Sequence, residues 1–203
     1  MKKMILLAAA LILALSAASA ETIRPKLTFI DLKRLENRMV KTDVDYKGGD
    51  TMTLTLYEPE RFDAGAIRAA KAGDAIFTDG EEVAIESVTE DGPDILFNAG
   101  TASEMLFCDA GYDEFEHVME DDAVPYLLLG TMECEILEYY PVLDWIDPIT
   151  GEPQDDPAVY RGDKLKELLG NPEAVGFNCK NVDIVYDRNN QIALMQRYYS
   201  PAQ

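Results

Sequence analysis

His117 is the only histidine in the chain, so nucleophilic catalysis of the Ser-His-Asp or Cys-His kind has to pass through it. The segment Asp113-Glu-Phe-Glu-His-Val-Met119 surrounds it with carboxylates. Such neighbours orient an imidazole and raise its pKa. Cys108 lies upstream at a spacing that a hairpin can fold back, which makes a Cys-His dyad the first chemistry to weigh. No nucleophile motif accompanies the pair, and G-x-S-x-G is absent. The plainer expectation is a surface histidine on an acidic strand. A carboxylate pair for glycoside hydrolysis is the other catalytic option, but with 38 acids in the chain it has no specific signature. A small secreted hydrolase using His117 or such a pair is therefore the alternative, and no catalytic residue is assigned.

A second group of chemistry-bearing residues is aromatic. Tyr139-Tyr140-Pro-Val-Leu-Asp144-Trp145 runs into a Pro/Gly-rich stretch. Tyrosine and tryptophan near a loop stack on sugar rings or anchor protein interfaces. Tyr139, Tyr140 and Trp145 are thus the candidate binding residues, for a protein or a carbohydrate ligand.

Oxygen-rich segments bring calcium into question, since calcium takes six to eight oxygen ligands, often from acids on loops. Glu120-Asp121-Asp122 and the Asp109–Glu114 turn are the candidates. Neither has EF-hand spacing. Asp43-Val-Asp45-Tyr-Lys-Gly48 begins like such a loop, but Lys47 takes the third ligand position. A calcium-stabilised module is a further alternative. The expectation is weak divalent-cation association at most, with no resident metal and no cofactor. Cys108, Cys134 and Cys179 match no zinc pattern, and three disulfide pairings are open to them. Alternation in Met132-Glu-Cys-Glu-Ile136 puts Cys134 on an apolar face as a buried thiol.

The carboxylates are unevenly placed. The chain carries 18 Lys+Arg against 38 Asp+Glu, a net charge of −20. Residues 72–160 hold 24 of those acids and no lysine or arginine. So negative a chain lacks the basic patch that nucleic acid or an anionic membrane surface demands. The segment before it is mildly basic, with Arg24, Lys26, Lys33, Arg34, Arg38 and Lys41. This arm is expected to supply part of the missing countercharge.

The elements that must position these residues read mainly as strands. Thr51–Tyr57 alternates polar and apolar after Gly48-Gly49-Asp50, predicting a hairpin with Met39–Tyr46. Asp63 caps a short helix over Ala64–Lys71. Ala75–Thr78, Asp79-Gly80 and Val83–Val88 spell a hairpin with a type I′ turn. Asp91-Gly92-Pro93-Asp94 marks another turn, with strands near Ile95–Asn98 and Glu104–Cys108. Tyr126–Glu138 is a long strand whose first half is expected to be buried on both faces. Pro148, Gly151, Pro153 and Pro157 predict a loop of about a dozen residues. A second helix spans Gly162–Leu169 with Gly170 as its stop. Val182–Asp187 and Ile192–Tyr199 form a last hairpin. The fold class is α+β, mainly antiparallel β, as a hairpin-rich sheet or small partly open barrel with two short helices.

Met1–Ala20 reads as a secretory signal peptide. It has a positive Lys2-Lys3 start, an apolar run of about a dozen residues, and Ala18-Ser19-Ala20 before the cleavage point. That run is too short to span a bilayer, which takes about 20 residues. The short basic start points to a bacterium. Residues 21–203 are then expected to form a single α+β domain outside the cytoplasm, secreted or periplasmic. The function expected of it is noncatalytic binding or interaction through a strongly acidic central face.

Overall fold

The computed structural model describes residues 20–26, 39–119, 123–178, 181–189 and 191–199. Residues 1–19 of the predicted signal segment 1–20, the bases Lys33, Arg34 and Arg38, the acids Glu120, Asp121 and Asp122, and Cys179 lie outside the described residues.

In chain order the elements are β1 (Thr22–Ile23), β2 (Met39–Asp45), β3 (Thr51–Pro59), β4 (Arg61–Asp63), α1 (Ala64–Ala69), β5 (Ala75–Thr78), β6 (Glu81–Ala84) and β7 (Val88–Asp91). There follow β8 (Asp94–Phe97), β9 (Met105–Gly111), β10 (Glu114–Val118), β11 (Tyr126–Glu135), β12 (Val142–Ile146), β13 (Pro153–Tyr160), α2 (Gly162–Leu169), β14 (Val182–Tyr186) and β15 (Ile192–Arg197). The chain is α+β with antiparallel pairing dominant, and its three sheets are open rather than closed into a barrel. Contacts group these elements into two compact units, one drawn from Met1–Lys26 and Arg61–Val118, the other from Leu27–Glu60 and Met119–Gln203.

The first unit holds a three-stranded sheet, β1-β5-β6, and a five-stranded sheet, β4-β10-β9-β8-β7. Its turns follow local sequence chemistry. Asp79 and Gly80 both adopt positive φ, as a type I′ turn requires, and Gly92 does so between β7 and β8. Asp63 caps α1 by accepting from the Ala66 N–H at 3.0 Å. Ile67, Ile76, Phe62, Phe97, Phe107 and Phe115 are fully buried and form the core. The predicted strand Val83–Val88 is interrupted. β6 ends at Ala84, because the Asn98 side chain takes the Glu86 N–H and the Ala84 carbonyl into its own hydrogen bonds. The chain then enters the other sheet as β7.

The second unit is built on a seven-stranded sheet, β11-β3-β2-β14-β15-β12-β13. Strands β3 and β11 are neighbours, with Pro59 opposite Tyr126, although residues 61–118 of the first unit separate them in sequence. The core of this unit gathers Leu54, Leu56, Val142, Ile184 and Met195 from the sheet with Leu165 and Leu168 from α2. Burying each such side chain contributes about 1.5–3 kcal/mol.

Two segments differ from what their sequence predicts. The segment 148–157 is not a long loop: a turn over Asp147–Glu152 leads straight into β13, which pairs with β12. Pro153 and Pro157 fit because β13 is an edge strand, where a missing N–H breaks no ladder. Nor is the start of β11 buried on both faces. β11 is the opposite edge, with a register shift between Leu128 and Gly130, and Leu128 is 63% exposed.

Candidate functional site

His117 sits on β10, where alternation directs it inward beside Phe115, so it is not a surface residue: it is 8% exposed. Its ring stacks on Phe107 at 5.1 Å between centroids, and its Nδ1 lies 2.8 Å from the Thr78 hydroxyl. Thr78 belongs to β5, so this hydrogen bond ties the three-stranded sheet to the five-stranded one. Burial drives the His117 pKa below its ordinary value, outweighing the opposing pull of Asp79. The flanking carboxylates do not raise it, because Glu114 and Glu116 point to the other face and engage Lys26 and Arg61.

The same alternation separates the proposed dyad. His117 is in register with Phe107, while Cys108 is opposite Glu116. The imidazole and the Cys108 thiol therefore face away from each other across the sheet. The Asp109–Glu114 segment is a hairpin turn, with Tyr112 and Asp113 at positive φ. Asp109 accepts from the Gly111 N–H and pairs with Arg68. Among the described residues no three of His, Cys, Asp and Glu converge as a metal-ligand set.

A pH consequence follows from the buried imidazole. Its folded pKa is depressed, so the unfolded chain takes up the proton first as pH falls. Stability is fullest above the unfolded value of about 6.5 and declines below it. Urea titrations at several pH values between neutral and mildly acidic should show that decline, and His117→Phe should flatten it. An unchanged slope in the variant would assign the acid sensitivity to other groups.

The aromatic candidates part company. Tyr140 is a core residue, 1% exposed, whose hydroxyl donates to the Glu135 carbonyl at 3.2 Å. Tyr139 is 53% exposed and stands edge-on to Tyr140, ring centroids 5.8 Å apart. Trp145 lies on β12 on the face opposite Val142, Asp144 and Ile146; it is half-buried, and its Nε1 has no hydrogen-bond partner among the described residues. The structure brings Tyr139 and Tyr140 together and leaves Trp145 elsewhere.

Tyr139 and Tyr140 border an open cavity of about 200 Å³ beside edge strand β11. Met132, Cys134, Tyr186 and Ile192 complete its apolar wall, and Glu133 and Glu135 border it from β11. None of its lining residues is basic among those described. Burial, reinforced by Glu135, pushes the Cys134 thiol up to about 11, which keeps it protonated and unreactive at neutral pH. Burial likewise raises the phenols of Tyr140 and Tyr186. Tyr139 is raised by partial desolvation and then by Cys134, Asp187 and Glu135. Three neutral phenols and an acidic border favour a cation or a hydrogen-bonding ligand.

Sequence reasoning missed a fully buried ion pair. Arg197 on β15 and Asp144 on β12 are both 0% exposed, on parallel neighbouring strands at paired positions. Nε donates to Oδ1 at 2.9 Å and the second guanidinium nitrogen to Oδ2 at 2.6 Å. The remaining nitrogen donates to the Val175 carbonyl, and the guanidinium lies 4.0 Å over the Phe177 ring. No local signal announces a pair that is distant in sequence.

Countercharge reaches the acidic stretch from both ends of the chain. Within the first unit Arg24 pairs with Glu82, and Lys26 and Arg61 with Glu114. Within the second, Arg197 holds Asp144. Glu81, Glu86, Glu90, Asp91 and Glu104 of the first unit are exposed, as are Glu133, Glu135, Glu138, Asp155 and Asp156 of the second.

Fold and cavity together define a β-rich α+β protein with an aromatic, acid-bordered pocket at a sheet edge. No family model, no curated protein and no solved structure matches the chain.

Proposed function

We propose that this chain is an exported, noncatalytic binding domain that takes a cationic segment of a partner protein at the Tyr139 cavity. The observation that carries the reading is Tyr139 itself: a large aromatic ring left half in solvent over a cavity with aromatic walls. Exposed tyrosines with a supporting aromatic behind them act as interface anchors. Glu133, Glu135 and Glu138 are exposed close by in sequence, and tyrosine faces attract lysine and arginine. Edge strand β11 offers unused backbone groups to an extended peptide. Export rests on the sequence of the leader, and the acidic surface suits a partner of opposite charge.

The test is a titration of a fluorescent lysine-rich peptide, with a glutamate-rich peptide as control. The lysine-rich peptide binds, more weakly at high salt, and Tyr139→Ala lowers its affinity about tenfold while leaving the melting temperature unchanged. If the lysine-rich peptide fails to bind, the reading is wrong. If it binds equally well to Tyr139→Ala, the cavity is not the seat.

A further inference from the structure

We infer that removal of the leader after Ala20 completes an ion pair between the new amino terminus at Glu21 and the buried carboxylate of Asp74. The inference rests on the export reading above and goes beyond it, to what processing does to the fold.

Asp74 is 6% exposed, at the turn entering β5. Its Oδ1 accepts from the Glu21 backbone N–H at 3.2 Å, and its Oδ2 from the Lys71 N–H at 3.2 Å. Among the described residues no lysine or arginine forms an ion pair with it. A carboxylate so buried, held by two neutral amide donors, is costly unless a positive charge reaches it. The Glu21 nitrogen is the atom that the predicted cleavage would change.

Hydrolysis of the Ala20–Glu21 peptide bond by a processing peptidase consumes one water. Ala20 leaves with a carboxylate, and the Glu21 nitrogen keeps the electron pair of the broken bond and takes up protons to become an ammonium. Both Ala20 and Glu21 are exposed, so the bond is open to such an enzyme. An amide N–H already 3.2 Å from Oδ1 then becomes a charged donor with no movement of the chain. Charge-assisted bonds of this kind are about twice as strong as neutral ones.

The location gives the pair leverage on the first unit. β1 has only two residues, Thr22 opposite Ala75 and Ile23 opposite Ile76 in parallel register with β5. The Ala75 N–H donates to the Glu21 carbonyl at 2.9 Å, so Glu21 and Asp74 lie at the start of that short ladder. Ile23 is 7% exposed in the core. A strand this short needs an anchor at its free end, and the ammonium supplies one. The chain with its leader attached lacks that anchor and holds β1 more loosely, a useful state for a protein that must cross a membrane before folding.

The experiment compares three forms of the chain: one beginning at Glu21, the same chain with its amino terminus acetylated, and one retaining Ala20. Each is made with and without Asp74→Asn. Amino-terminal sequencing of the exported protein comes first. A mature terminus at another residue overturns both the cleavage reading and this inference. With the terminus at Glu21, the chain beginning there with a free amine is expected to have a folding equilibrium about tenfold more favourable than either the acetylated chain or the one retaining Ala20. Asp74→Asn is expected to erase that difference. Equal stability of the Glu21 chain and its acetylated form, or a difference that survives Asp74→Asn, overturns the ion pair and leaves the export reading intact.

Discussion

Arg197→Met is expected to destabilise the second unit by about 3–5 kcal/mol, the cost of leaving a buried charge without its partner. Asp144 cannot turn to water, since it is 0% exposed and its Oδ1 is also held by the Ile146 N–H. Asp144→Ala should cost a similar amount, because it strands the guanidinium between the Val175 carbonyl and the Phe177 ring. The double replacement Asp144→Leu with Arg197→Met should recover most of the loss, as apolar residues of similar volume often replace a buried ion pair without penalty. Trp145 is the only tryptophan in the chain and neighbours Asp144, so urea titrations followed by its fluorescence report on this unit. A loss below 1 kcal/mol in Arg197→Met would show that the pair does not hold β12 to β15.

The second large effect belongs to the first unit. Phe107→Ala should cost about 3–5 kcal/mol through lost burial and the cavity it leaves. Phe107 is 0% exposed and touches three rings: Phe62 at 5.3 Å, Phe97 at 5.0 Å and His117 at 5.1 Å. Phe107→Leu should cost less, since it removes less volume. The substitution carries a second, separate signature. With the ring gone, water reaches the His117 imidazole, and its depressed pKa should move back up toward the ordinary value. Proton NMR of the single histidine reads that shift directly. An unchanged His117 titration in a destabilised Phe107→Ala protein would mean that the stacked ring is not what excludes water.

The second prediction turns on His117, which the sequence places on the surface and the structure buries. His117 was expected on the surface because Glu114 and Glu116 flank it, yet in a strand such neighbours say nothing about the residue between them. Alternation sends Phe115 and His117 one way and the two glutamates the other. The aromatic run suffered the same division: Tyr139 kept its exposure, Tyr140 entered the core, and Trp145 went to the far face of β12. The tyrosine half of the candidate site was therefore legible, and the cavity beside it was not, because Met132, Tyr186 and Ile192 come from three different strands.

Local signals settled what a few consecutive residues can encode. The Asp79-Gly80 and Asp91-Gly92 turns, the Asp63 cap, both helices and the alternation of β2, β3 and β14 follow from backbone preference and side-chain period. The charge asymmetry of residues 72–160 is likewise a property of the sequence alone. Tertiary structure decided everything that depends on partners far along the chain. It set β1 beside β5, placed β11 and β13 at the two edges of their sheet, sent His117 into the core, and brought Asp144 to Arg197 and Asp74 to the Glu21 nitrogen. The physical reason is that turn and cap energies reside within four or five residues, whereas edge position, burial and charge pairing exist only once the strands have chosen their neighbours.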